Sequence, residues 1–161
     1  MSDFAVSWEL CRGRLMTEIE GLSHAQIHWR MHPDALTIAE SILHVAGVEV
    51  YFAQQLTGAS LDAFGERVKA SATQGVVNDE PFPFSTDEVT LETLVQAMAL
   101  AKSMSEPIIT APSPELLEKE LKSALGPMIT GRGALARWAF HPGYHQGQIY
   151  LMKTAPGFPA N

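Results

Sequence analysis

From Phe4 to Leu22 the apolar residues Phe4, Trp8, Cys11, Leu15, Ile19 and Leu22 recur every three or four positions, the period of a helix with one buried face. This pattern predicts a first helix. A second is signalled by Thr37-Ile-Ala-Glu40, where the Thr37 hydroxyl can accept from the Glu40 amide while the Glu40 side chain accepts from the Thr37 amide. Its apolar stripe (Ile38, Ile42, Val45, Tyr51, Phe52, Leu56) is interrupted by His44, and Thr57-Gly58 supplies a stop. Helical spacing returns after Thr90 at Leu91, Leu94, Val95, Met98, Ala101 and Met104, and Pro107 is expected to end or kink this third helix. After TAPSPE a short helical piece is expected over 114–122, and GPMITGRG leads into a last helix from about Arg132 to Lys153.

Between the second and third helices, Gly65, Gly75, Pro81 and Pro83 punctuate residues 58–89, and NDEPFPFST reads as extended. This stretch is expected to be a long crossover. No internal repeat, low-complexity tract or alternation long enough for a strand is present. Each apolar stripe must find a partner layer, so the expected fold is all-α, a four-helix bundle with one long crossover connection.

A chain of 161 residues fits one domain, 1–161, that buries roughly 70% of the surface its unfolded form exposes. The single cysteine, Cys11, allows no internal disulfide, and its neighbours Leu10 and Leu15 place it on an ordinary apolar helix face. With 11 basic and 18 acidic side chains the net charge is −7, which opposes binding to nucleic acid or anionic lipid. The start, MSDFAVSWEL, lacks the cationic and apolar regions of a secretion signal, and no apolar run reaches the roughly 20 residues of a membrane span. The expectation is a soluble, cytoplasmic protein.

Candidate chemistry lies in the six histidines. His24, His28 and His32 have helical spacing, but Ser23-His-Ala-Gln26 is a capping box for a short turn and Pro33 disfavours helix at His32. These three read as surface or capping residues. His44 sits on the apolar second helix and would need partners for both ring nitrogens. His141 and His145, four positions apart in HPGYHQGQ, would emerge from one helix face about 6 Å apart along the axis, a spacing that can present two nitrogens to one metal. Pro142 lacks an amide proton and crowds the Trp138 carbonyl, so the helix is expected to kink or to begin afresh with His141 as its cap.

The stretches TIAESILHVAGVEVYF, 37–52, and HPGYHQGQIYLMK, 141–153, resemble the DinB-like superfamily, whose pattern is a histidine on the second helix and His-x-x-x-His on the fourth, usually followed by Arg-Gly-Gln. The resemblance implies a metal triad of His44, His141 and His145 holding a divalent ion, zinc or nickel first and manganese next. It also implies thiol-dependent transfer chemistry, with a low-molecular-weight thiol such as mycothiol or bacillithiol, and a homodimer. Gln146 stands where the family usually has arginine, which removes a fixed cation for an anionic ligand. Gln148, on the face of His145 and His141, is a candidate to hydrogen-bond a ligand or a bound water, or to make a helix–helix contact. Glu49 and Tyr51 are further candidates near His44. Glu40 is accounted for by its capping role, and Trp138, Phe140, Tyr144 and Tyr150 by core or dimer contacts.

Three protein nitrogens leave positions open, as in catalytic rather than structural metal sites, and imidazole suits zinc or nickel better than magnesium or calcium. No serine or cysteine nucleophile has an adjacent base. The expected function is therefore a metal-dependent transferase or hydrolase acting on a small molecule. Two alternatives stand beside it: a non-catalytic, stress-related or ligand-binding bundle, and three core histidines without metal.

Overall fold

The computed structural model describes residues 1–160. Helix α1, Asp3–Ile19, begins where the Ser2 hydroxyl accepts from the Ala5 amide. It stops three residues before the expected Leu22, as Gly21 turns the chain at φ 72°. The one-turn helix α2, His24–Ile27, carries the capping box of Ser23 and Gln26. Helix α3, Ile38–Thr57, carries that of Thr37 and Glu40 and closes on Gly58 at φ 73°, a conformation only glycine adopts without steric cost.

The crossover is more ordered than its glycines and prolines suggest. It contains α4, Ala63–Ala70, started by the Asp62 carboxylate accepting from the Gly65 amide, and a 3-10 turn at Thr86–Glu88. Helix α5, Leu91–Thr110, starts at Thr90 as expected but continues three residues past Pro107. Proline there deprives only the Ser103 carbonyl of its partner, one turn from the helix end. Helix α6, Pro114–Glu118, is shorter than expected because residues 120–122 form a strand. Strands β1, Glu120–Lys122, and β2, Met128–Thr130, pair antiparallel with Leu121 opposite Ile129. Three residues are too few to show a two-residue alternation, which is why no strand is legible in the sequence. Helix α7, Gly131–Thr154, then runs unbroken through Pro142. The expected break does not occur.

The molecule is thus mostly helical. The longest helices pack as α1 on α7 and α3 on α5, with further contacts of α3 on α7 and α1 on α5. One apolar cluster contains Leu15, Ile42, Leu94, Met98 and Ile149; the other contains Trp8, Phe52, Ile109, Leu135 and Trp138. Across α1 and α3, buried Arg12 pairs with buried Glu49, whose other oxygen accepts from Trp8 Nε1 at 2.9 Å. Arg12 also donates to the Met98 carbonyl of α5.

Two glycines set close approaches. A Cβ on Gly47 would lie 2.5 Å from the Val68 carbonyl oxygen and 2.6 Å from the Ala72 nitrogen, so only glycine lets the end of α4 rest against α3. A Cβ on Gly143 would meet Cys11 Sγ at 3.0 Å, which places the cysteine in the α1–α7 contact. Among the described residues, no helix is long and apolar enough to cross a membrane.

Candidate metal centre

The unbroken α7 puts His141 and His145 one turn apart on one face, and α3 presents His44 to the same point. One nitrogen from each ring lies within 4.8 Å of the others. His44 and His145 are buried and His141 half-buried, with Nε2 of His141 and His145 3.1 Å apart. Two nitrogens each ~2.0–2.1 Å from a single tetrahedral ion would stand ~3.3 Å apart, so the pair is already close to a chelating separation.

The Ser71 carbonyl, just past α4, fixes His44. It can only accept, so His44 Nδ1 carries the proton and donates at 3.0 Å, leaving Nε2 with a lone pair. Gly47 makes this contact available, since it admits Val68 and Ala72 on either side of Ser71. The other two rings are less satisfied: Nδ1 of both His141 and His145 is buried without a hydrogen-bond partner. If the two Nε2 atoms share one proton, each ring still has an orphaned Nδ1, an uncommon state for buried polar atoms. A cation using both Nε2 lone pairs removes that competition for one proton. The donor set therefore fits a divalent ion of borderline softness.

Electrostatics agrees with this fit. Burial holds His44 below its ordinary pKa, with the Ser71 carbonyl opposing. Burial, then the neighbouring His145, His44 and Arg137, lowers His141 to about 2. Burial, then His44, lowers His145 to about 3, with Gln148 opposing. Near neutral pH the cluster is thus three uncharged nitrogen donors.

This depression has a consequence for the ion-free protein. Below the unfolded value of 6.5, the unfolded chain takes up protons that the folded cluster refuses, so stability falls as pH drops from about 6.5 toward about 3. The loss approaches ~1.4 kcal/mol per pH unit for each such histidine. Urea unfolding with a chelator present, at pH 7.5 and 5.0, should show His141→Asn losing ~2 kcal/mol less between the two conditions than the parent. An equal loss in both proteins would refute the neutral cluster.

The triad opens into a cavity of about 790 Å³. Its walls are largely apolar, from Leu36, Val48, Phe52, Val76, Phe140 and Leu151 among others, with Gln148, Ser41 and Arg137 as polar members. Exposed His32 and Asp34 lie on its rim, so one of the first three histidines does reach the site's edge. His24 and His28 do not, their rings meeting the carbonyls of Thr86 and Val89. Gln148 lines the cavity.

Other candidates separate. Tyr51 lines the cavity; Glu49 turns to Arg12 and Trp8 instead. Phe140 and Tyr144, expected in core or dimer contacts, are not core but exposed at the cavity, whereas Trp138 is core and Tyr150 faces a shallow groove beside α1. Glu40 caps α3 and also pairs with Arg30. Gln146 does not face the triad: its Nε2 donates to Glu18 of α1 at 2.7 Å. Its identity therefore does not decide whether the cavity has a cation. Arg137, which sequence reading passed over, supplies one, and its position one turn before His141 was the available signal. The role of Ser71 had no sequence signal, because it depends on how the crossover folds back.

Two helices thus bring His-x-x-x-His and a third histidine together beside an open cavity, an arrangement compatible with metal binding. The sequence profile of the DinB superfamily matches residues 7–149, and the chain belongs to that superfamily. No curated protein and no solved structure gives a match.

Proposed function

We propose that the protein holds a divalent ion through His44, His141 and His145 and acts as a metal-dependent enzyme on a small molecule, as a thiol-dependent S-transferase or a hydrolase. We further infer a single four-helix-bundle domain that works as a homodimer. One observation carries the reading: three neutral imidazoles from distant parts of the chain converge on the floor of a cavity wide enough for a small molecule. Zinc or nickel suits these donors best, with manganese third. His44, His141 and His145 would hold the ion, which would supply a lowered pKa to a bound water or thiol.

The protein's own residues do the rest. Ser71 fixes the His44 tautomer, the apolar walls offer contact to a ligand's apolar surface, and Gln148 offers an amide to a ligand beside His145. The competing reading, a non-catalytic ligand-binding or stress-related protein, draws support from the cavity's acid content. Asp34 on the rim is the only carboxylate among the lining residues, so no general base stands beside the triad.

Elemental analysis of untagged protein, purified without chelator, tests the metal assignment. About one zinc, nickel or manganese per chain is expected, lost in both His44→Ala and His145→Ala. Protein that stays metal-free after each ion is added back would overturn it. Solvent exchange on the bound ion then separates an open catalytic site from a closed structural one.

A further inference from the structure

Arg137 is a half-buried cation in an otherwise largely apolar cavity, one turn before His141. Among the described residues no carboxylate lies within 4.0 Å of its guanidinium, although seven other ion pairs form. Its one hydrogen bond goes from Nη1 to Ser123 Oγ at 2.6 Å. Ser123 is buried, and it precedes Ala124 and Leu125, which themselves form part of the cavity wall. The β1–β2 turn therefore holds the guanidinium by one edge and leaves its remaining N–H donors uncommitted. A partly desolvated cation without a counter-ion is costly unless something completes it. The nearest titratable neighbours cannot, because the three imidazoles have no negative form at ordinary pH. Asp34 is not in pairing range.

We propose that Arg137 is the anion-recognition residue of this cavity, and that its ligand is a small molecule with a carboxylate on an apolar body. A carboxylate matches the planar fork of a guanidinium with two parallel hydrogen bonds. The body would lie against Val48, Phe52, Phe140 and Leu151, within reach of the triad. The assignment deepens the reading of this cavity as a substrate site but does not require the ion. It places substrate binding on Arg137 rather than at position 146, whose side chain is turned to Glu18.

Ligand-observed NMR with hexanoate and its uncharged analogue hexanamide tests the assignment on the full chain, both metal-loaded and chelator-treated. Hexanoate is expected to bind at least tenfold more tightly than hexanamide in both forms. Arg137→Met should erase that preference, and Arg137→Lys should keep part of it. Equal binding of the two probes by the parent protein would overturn the proposal without any variant, as would an undiminished preference in Arg137→Met. A preference confined to the metal-loaded form would assign the carboxylate to the ion and also overturn it. Elemental analysis of the same samples reads the metal assignment separately, so either can fail alone.

Discussion

Arg12→Ala is expected to destabilise the protein by about 3–5 kcal/mol, the loss seen when one partner of a buried ion pair is removed. Glu49 is 1% exposed, so its carboxylate cannot recover hydration when the guanidinium goes. Burial already pushes the Glu49 pKa up, against the opposing pull of Arg12 and Trp8. Without Arg12 the carboxyl should rise further and take a proton more readily. A group raised in the folded state stabilises at low pH and loses that contribution as pH rises. The Arg12→Ala penalty should therefore be larger at pH 8 than at pH 5. The double change Arg12→Met with Glu49→Gln keeps an acceptor for Trp8 Nε1 and removes both charges, and should cost less than Arg12→Ala alone. Chemical unfolding of the parent and the two variants measures this. A double variant less stable than the single one would show that the pair is not the source of the loss.

Gly47→Ala should lower both stability and metal retention. The added Cβ meets backbone atoms of Val68 in α4 and of Ala72 just past it at 2.5 and 2.6 Å, and these cannot rotate away as a side chain would. Forced relief of such overpacking costs about 1–3 kcal/mol. The displaced segment contains Ser71, the partner of His44 Nδ1. Losing an outer hydrogen bond of this kind weakens metal binding about 10–100-fold. Ser71→Ala is the control, since it keeps the carbonyl and should leave metal affinity within about twofold. Competition with a chromophoric chelator reads both variants. A Gly47→Ala protein that is destabilised but binds metal like the parent would show that the α4 contact does not position His44.

Much of the frame was legible because the long helices carry their signals locally. Thr37 and Glu40 announce α3, Ser23 and Gln26 announce α2, and the stripes of α1 and α5 are read directly. What failed depends on context. Helix α4 has one fully buried apolar side chain, Val68, so its periodicity is faint. Pro142 looked disruptive because its local cost is real, yet packing on α1 and α3 surrounds the helix on both sides of it. The site followed the same division. His141 and His145 are linked by spacing, whereas joining His44 to them took the family resemblance. Arg137 and Glu49 show the limit most clearly. One arginine and one glutamate with similar local surroundings become a cavity cation and a core anion, and only the three-dimensional partners Ser123 and Arg12 distinguish them.

The small hairpin divides labour along the chain. The histidines project from long helices whose replacement would disturb the core, but the Ser123 hydroxyl steadying Arg137 belongs to a short surface turn closed by Gly126. Residues 124–127 are half-buried or exposed, so changes there would disturb the core less than changes in the helices, while altering how Ser123 presents the guanidinium and how wide the opening beside Leu125 stands. On the proposal that Arg137 reads the ligand, its preference is open to change by drift in a four-residue stretch, with the histidine scaffold left as it is.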